Sequence, residues 1–138
     1  MPTGQSDNTY QALINTATTV LYESSDSPRI DAEVLLQSAI DKPLAWLISH
    51  GNDIANKDHQ TEFDRLIELR RQGQPIAYIT GQKEFWSLDL IVNQAVLIPR
   101  PDTEILVEQA LNYLPLDTPK RILDLGTGSG AIALALAK

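Results

Sequence analysis

The sequence contains no cysteine, which excludes disulfide bonds and thiolate metal sites from its 138 residues. It has only two histidines, so a metal site built on imidazole ligands has little support. No run of about 18 apolar residues, the length that a membrane-spanning helix requires, occurs in it. Folding must therefore rest on a hydrophobic core, and a hydrophobic fraction of 43% is sufficient for one.

Positive charge is also scarce, with 11 lysines and arginines against 18 acidic residues and a net charge of −7. A surface of this sign repels a phosphate backbone unless its basic residues gather on one face. We therefore expect no direct nucleic-acid partner and no membrane partner. The first residues form no basic segment followed by an apolar run, so a cytoplasmic location is expected.

The first half of the chain has apolar residues at helical spacing, preceded by a polar segment, residues 1–7, that we expect to be frayed. Four amphipathic helices are predicted, over about residues 9–23, 28–40, 41–51 and 56–73. Caps are expected at Asn8 or Thr9 and at Asn56 or Asp58. The predicted buried faces include Val20, Ile30, Leu44 and Ile48. Helices with such faces and short connections form a small bundle.

Several side chains of this bundle have a functional and a structural interpretation. Trp46 could recognise a ligand, but a tryptophan beside leucines is more often part of the core. His50 and His59 fall at a helix end and a helix start, where an exposed or capping role is expected. Asp31 and Glu33 could act as an acid and base pair, but acids in a first helical turn are usually solvated or capping.

Beyond Gly73 the pattern changes from helical spacing to that of strands. Pro75 opens at most two helical turns, which end at Gly81. Residues 84–86 and 88–92 then predict a hairpin around Ser87, and residues 96–98 predict a further strand.

The segment 99–104 predicts a junction into another helix, with Asp102 or Thr103 as its cap. The expected buried side of that helix is formed by Ile105, Leu106, Ala110 and Leu111. Arg100 could bind a carboxylate ligand, but a structural role at the junction is favoured.

The sequence Gly-Thr-Gly-Ser-Gly at 126–130 follows a short apolar run, residues 121–125, and precedes strong helix formers from Ala131. This order predicts a strand, a tight turn and a helix. Alternating glycines permit unusual backbone angles and keep side chains away from a bound ligand. The spacing G-x-G-x-G differs from the G-x-G-x-x-G of dinucleotide sites, which favours S-adenosylmethionine as the cofactor.

Several blocks of the sequence resemble the release factor glutamine methyltransferase family, the PrmC/HemK family. The blocks that carry this resemblance are Ser27-Pro-Arg-Ile-Asp-Ala-Glu33, Pro75-Ile-Ala-Tyr-Ile-Thr-Gly81, Glu84-Phe-Trp-Ser-Leu88, Leu97-Ile-Pro-Arg-Pro-Asp-Thr-Glu104 and Ile122-Leu-Asp-Leu-Gly-Thr-Gly-Ser-Gly-Ala-Ile-Ala-Leu134. The resemblance spans the chain from about Leu13 onwards. The three blocks between Pro75 and Glu104 are more specific than the glycine sequence, which many methyltransferases share.

The resemblance implies an α+β protein with three segments. Residues 1–75 are expected to form a small helical bundle that recognises the substrate, and residues 76–98 a connector made of a short helix and a β-hairpin. Residues 99–138 are expected to begin a class I, Rossmann-like α/β methyltransferase domain.

The activity that the resemblance implies is transfer of a methyl group from S-adenosylmethionine to a glutamine side-chain nitrogen. That glutamine lies in the Gly-Gly-Gln motif of peptide chain release factors, the implied partners. The implied cofactor-binding residues are Gly126, Thr127, Gly128, Ser129 and Gly130. The resemblance also implies that Asp124 orients the loop, directly or through water, and that Phe85, Arg100 and Glu104 lie near the cofactor side.

The sequence departs from the family pattern in its chemistry. No Asn-Pro-Pro-Tyr, the family's catalytic segment, occurs in it, and the acidic residue that would bind the ribose is also absent. We therefore assign no catalytic residue. The sequence ends at Lys138, one strand and one helix into the domain, so we expect a truncated chain that neither binds the cofactor tightly nor methylates a release factor.

Two other functions remain open at this point. The chain could act only as a release factor binding module, through its helical bundle. It could also be a fragment of a nucleic acid amino-methyltransferase, although the acidic balance and the block at 99–104 favour the release factor family. A dinucleotide oxidoreductase is disfavoured by the glycine spacing.

Overall fold

The computed structural model describes residues 8–138, and the segment 1–7, expected to be frayed, lies outside them. The described chain has seven helices and one two-stranded antiparallel sheet, which makes it an α+β protein as predicted. It divides into two compact units, one ending at Thr80 and one formed by Gly81–Lys138. Among residues 8–138, none of the helices is both long and apolar enough to cross a bilayer.

The first unit is helical. Its helices are α1 Tyr10–Val20, α2 Pro28–Ile40, α3 Leu44–His50, α4 Lys57–Arg71 and α5 Ile76–Thr80. The Thr9 hydroxyl accepts the N–H of Ala12, and the Asn56 side chain accepts the N–H of Asp58, so both predicted N-terminal caps are present. The predicted end of α1 near Glu23 was wrong, because a turn begins at Leu21.

Helix α2 is the centre of the first unit, since it contacts α1, α3, α4 and α5. Its residues Ala32, Leu35 and Leu36 have no exposed surface. Leu21 and Phe63 from neighbouring segments belong to the same core. The shared core that the helical spacing predicted is therefore formed, with α2 surrounded by its neighbours.

Four predicted core positions are instead exposed. Val20, Ile30, Leu44 and Ile48 keep 44%, 62%, 41% and 77% of their surface. In α3 only Leu47 is fully buried, because a seven-residue helix packs along a narrow strip, and this leaves Leu44 and Ile48 exposed. Periodicity located the helices but overstated the width of the faces that they bury.

A buried ion pair joins α2 to α4. Asp31 is only 7% exposed, and its Oδ2 accepts Nε–H of Arg70 at 2.7 Å and the hydroxyl of Ser25 at 2.6 Å. Arg70 also donates from Nη1 to the carbonyl of Gln74 at 3.2 Å. The prediction of a solvated or capping Asp31 was therefore wrong. Glu33 forms an ion pair with Arg29 at 3.0 Å, one turn away on the same helix.

An aromatic cluster lies at the edge of the core. Trp46 packs against the core, as predicted, and its ring stacks on His50 with centroids 4.1 Å apart. Tyr10 meets Trp46 edge to face, and its hydroxyl is 2.8 Å from Nδ1 of His59. Both histidines are half-buried, because these aromatic partners cover part of each ring, so the prediction of plain exposure was wrong. Nδ1 of His50 lies 2.9 Å from the carbonyl of Trp46 in the last turn of α3, which agrees with the expected capping role of His50.

Glu68 on α4 gives a prediction about pH. Hydrogen bonds from Arg71 and then from Gln72 lower its pKa from 4.5 to about 2. Because the pKa in the folded state lies below the unfolded value, the ionised carboxylate stabilises the fold above about pH 4.5. That contribution is lost as the pH falls through the folded-state pKa, and salt weakens it because the pair is exposed.

Replacing Arg71 with alanine should raise the pKa of Glu68 towards 4.5, which a carboxyl ¹³C NMR titration would measure. Arg65→Ala is the matched control, since Arg65 makes the same kind of pair with Glu62 and lowers the pKa of that residue instead. An unchanged pKa of Glu68 in Arg71→Ala would contradict the assignment.

The second unit contains the hairpin and two helices. Strands β1 Gln82–Phe85 and β2 Leu88–Ile91 pair antiparallel, with Phe85 opposite Leu88, which confirms the predicted hairpin. Helices α6 Thr103–Tyr113 and α7 Ala131–Ala137 follow and contact each other. Phe85, Val92 and Val107 are almost completely buried, at 1%, 2% and 0% exposure.

Two strands predicted in this unit do not form. Residues 96–98 and 121–125 have no strand assignment, and no backbone hydrogen bond ties 121–125 to another described segment. The apolar side chains of Leu123 and Leu125 are 81% and 83% exposed. A parallel strand exists only through hydrogen bonds to neighbouring strands, and the described residues supply none beside it.

The predicted face of α6 was also wrong. Ile105, Leu106 and Leu111 are 59%, 55% and 38% exposed, while Val107 is the buried residue of the helix. Asp102 stands at the N-cap position, as predicted, but its side chain makes no capping hydrogen bond.

Candidate functional site

The glycine loop adopts the backbone that its composition predicts. Gly126, Gly128 and Gly130 have φ angles of 71°, 55° and 80°, in the left-handed region that favours glycine. A Cβ added at Gly126 or Gly128 would meet nothing within 4 Å. The space beside the loop is therefore open, and a ligand could approach its backbone closely.

The loop is held by short-range hydrogen bonds at the start of α7. Thr127 Oγ1 donates to Oδ2 of Asp124 at 3.1 Å, and the N–H of Gly130 donates to the carbonyl of Thr127 at 2.8 Å. Gly130 is the N-cap of α7. Asp124 thus contacts the loop through Thr127, and the five residues at 126–130 lie together on one exposed turn.

These residues fit an adenosine-type cofactor in two respects. Side chains are absent at the two positions where the space is open, and a carboxylate, that of Asp124, stands beside the loop. Within the part of the chain that the structure describes, no group of three or more histidine or acidic side chains is placed to hold a metal ion.

The hairpin turn is the second unusual feature of this unit. Trp86 and Ser87 occupy its two central positions with φ angles of 51° and 56°. Both angles are positive in a type I′ turn, where asparagine and glycine are preferred. A non-glycine residue in this region costs about 1–3 kcal/mol. The turn is therefore strained at both residues.

Two carboxylates hold the strained turn. The N–H of Trp86 donates to Oε1 of Glu104 at 2.8 Å, and the N–H of Ser87 donates to Oε1 of Glu84 at 2.9 Å. Hydrogen bonds to ionised acceptors are stronger than hydrogen bonds to neutral acceptors. They therefore offset part of the strain in the turn.

A cavity of about 420 Å³ lies at this turn. It is lined by Glu84, Trp86, Ser87, Glu104 and Lys138. The sequence blocks at 84–88 and 97–104 thus meet at one place. The cavity combines an indole ring, two carboxylates and one lysine.

The three further residues expected near the site have different surroundings. Glu104 lines the cavity, Phe85 is buried at 1% exposure, and Arg100 is exposed and absent from the lining. The glycine loop does not line this cavity, so the two features remain separate in the described structure. Sequence reasoning missed the roles of Glu84, Trp86 and Ser87. The signal available was two strands separated by only two residues, but tryptophan and serine gave no sign of positive φ.

Three known proteins that this chain resembles share one name, and the matching family model describes a domain of the same family. The family model of the PrmC N-terminal domain matches residues 12–81. The release factor glutamine methyltransferase of Salmonella typhimurium is 57% identical over 113 residues, which cover 82% of this chain and 40% of that protein. The proteins of the same name from Escherichia coli and Coxiella burnetii are 51% and 52% identical, over 93% and 82% of this chain. The chain spans between 40% and 46% of the length of these curated relatives.

Proposed function

Because the chain belongs to the release factor glutamine methyltransferase family, the PrmC/HemK family, we propose that it takes part in methylation of the glutamine in the Gly-Gly-Gln motif of peptide chain release factors. In this proposal, residues 1–75 recognise the release factor and residues 99–138 supply the first part of the cofactor site. Residues 76–98 connect these two parts. A release factor substrate places this reaction in the cytoplasm, where translation ends.

The observation that carries this proposal is the glycine loop at the start of α7. Three alternating glycines at positive φ, with open space at two of them, form a backbone surface that a ligand can approach without meeting side chains. A tight turn alone does not need three such residues. We propose that Gly126, Thr127, Gly128, Ser129 and Gly130 bind S-adenosylmethionine, which supplies the methyl group as a sulfonium.

In this reaction, the residues of this chain would bind and orient the release factor and the cofactor. An amide nitrogen is a weak nucleophile because its lone pair is delocalised, so its alignment with the methyl donor carries much of the catalysis. The helical unit would hold the release factor, and the loop would hold the adenosine part of the cofactor. Since no Asn-Pro-Pro-Tyr occurs in these residues, we assign none of them a catalytic role.

A second candidate function is that of a release factor binding module. The helical unit has a core of its own, and every buried side-chain nitrogen or oxygen among the described residues has a hydrogen-bond partner. Such a unit can present a fixed surface without a cofactor.

The cofactor site can be tested by NMR titration of the chain with millimolar S-adenosylmethionine. We expect binding weaker than micromolar, with amide shift changes confined to residues 124–131, because these residues form only part of a site. Gly128→Ala should abolish these changes, since its Cβ would stand in the open space. Gly73→Ala is the matched control, because Gly73 also has a positive φ and open surroundings but lies in the helical unit. Changes that survive Gly128→Ala would contradict the assignment.

The partner can be tested with the same chain immobilised. We expect it to capture a release factor and not a single-stranded RNA of similar size, with no methyl group gained by the release factor's glutamine in mass spectrometry. Capture without methylation supports the binding module. Capture of RNA alone would instead support the nucleic acid amino-methyltransferase alternative.

A further inference from the structure

One hydrogen bond joins two sequence blocks of the second unit. Glu104, in the first turn of α6, accepts the backbone N–H of Trp86 at 2.8 Å, although the two residues are 18 positions apart. Glu104 is partly buried, and both residues line the cavity of about 420 Å³. The bond therefore fixes the hairpin turn to a helix on the rim of that cavity.

The turn has an unusual need for such a bond. Its central residues have φ angles of 51° and 56°, and a bulky side chain in this region is a genuine outlier. Asparagine and glycine would adopt the same turn without this strain. Strained backbone that is held by specific partners concentrates at functional sites, and here the strained residue places an indole ring in the lining of the cavity.

We propose that Glu104 is a positioning residue, which holds the strained turn so that the Trp86 side chain forms a fixed wall of this cavity, against which the protein substrate is received. The role in substrate binding rests on the proposed function, and the control of the turn does not. Glu104 acts through Trp86 and does not itself touch the reacting groups.

The second carboxylate at the turn makes a different contribution. Glu84 is exposed, lies on β1 itself and accepts the N–H of Ser87, three residues along the chain. It holds the turn locally, whereas Glu104 connects the turn to α6. Each carboxylate therefore protects one specific amide, and this gives the proposal a test at the level of single residues.

The test is amide hydrogen exchange measured by NMR on the 138-residue chain. In Glu104→Ala, exchange at the Trp86 amide should become at least about tenfold faster, while the Ser87 amide changes little. In Glu84→Ala the pattern should be reversed. The amides of Leu90 and Val107 serve as internal references, because global unfolding would accelerate these buried positions as well.

Two further variants separate positioning from general damage. Glu104→Gln should restore slow exchange at Trp86, since the amide oxygen can accept the same hydrogen bond. Glu108→Ala removes an exposed acid one turn further along α6 and should leave Trp86 unchanged. With Trp46→Phe, Trp86 is the only tryptophan, and its emission should shift to the red in Glu104→Ala but not in Glu104→Gln.

The substrate role is tested by release factor binding to the same variants. We expect binding to weaken about fivefold or more in Glu104→Ala and in Trp86→Ala, and Glu104→Gln to restore it. Unchanged exchange at Trp86 in Glu104→Ala overturns the control of the turn. Unchanged release factor binding in Trp86→Ala overturns the substrate wall. If the wild-type chain binds no release factor while the crossed exchange pattern holds, the proposed function fails and the positioning of the turn stands.

Discussion

Replacing Asp31 with alanine should lower the free energy of unfolding of the helical unit by about 3–5 kcal/mol. The ion pair with Arg70 is 2.7 Å long, and the two side chains are only 10% and 18% exposed. Removing the carboxylate leaves the guanidinium without its counter-charge in a largely dry environment, and it also removes the acceptor of the Ser25 hydroxyl. Urea unfolding followed by Trp46 fluorescence in a Trp86→Phe background would measure the loss in this unit.

The control for Asp31 is Glu33→Ala on the same helix. Glu33 pairs with Arg29, whose side chain is 54% exposed, so its loss should change stability by less than about 1 kcal/mol. The double variant Asp31→Leu with Arg70→Met should cost less than the sum of the single changes, because it leaves no unpaired charge. Equal losses in Asp31→Ala and Glu33→Ala would show that the buried pair has no special weight.

Replacing Phe63 with alanine should lower the free energy of unfolding of the helical unit by a similar amount, about 3–5 kcal/mol. Phe63 is 1% exposed on α4 and belongs to the core around α2. Its removal leaves a cavity that the neighbouring helices can close only in part, since they are tied together by the Asp31–Arg70 pair. The midpoint of urea unfolding should fall while the slope stays nearly constant.

Tyr22→Ala is the control for Phe63, because Tyr22 is also aromatic but 78% exposed. Its loss should be within about 0.5 kcal/mol. A loss at Phe63 no larger than the loss at Tyr22 would mean that the core described around α2 does not stabilise this unit.

The helices could be predicted from the sequence because their information is local. The apolar spacing lies within each helix, and capping residues such as Thr9 and Asn56 stand directly before the helices that they cap. The partner of Asp31 could not be predicted in this way, since Arg70 lies 39 residues away and first-turn acids look alike whether or not they are paired. The same limit applies to 121–125, where strand formation depends on neighbours that the described residues do not supply.

The candidate site was predictable in one half and hidden in the other. The glycines at 126, 128 and 130 predicted the positive φ angles directly, because glycine is the residue that tolerates them. At the hairpin turn, Trp86 and Ser87 adopt the same region against their own preferences, and only their bonds to Glu104 and Glu84 explain it. A conformation that its own residues favour can be predicted from the sequence, whereas one that is held by hydrogen bonds to other side chains cannot.

The extended apolar segment at 121–125 has a consequence for how these 138 residues respond to a protease. Leu123 and Leu125 are 81% and 83% exposed, and the backbone around them makes no hydrogen bond to another described segment. An exposed apolar stretch without backbone pairing is open to proteolytic cleavage and promotes aggregation. In limited proteolysis of the 138-residue polypeptide, the segment 121–125 should therefore be cleaved early, and the well-packed helices should survive digestion longer than the residues beyond Thr80.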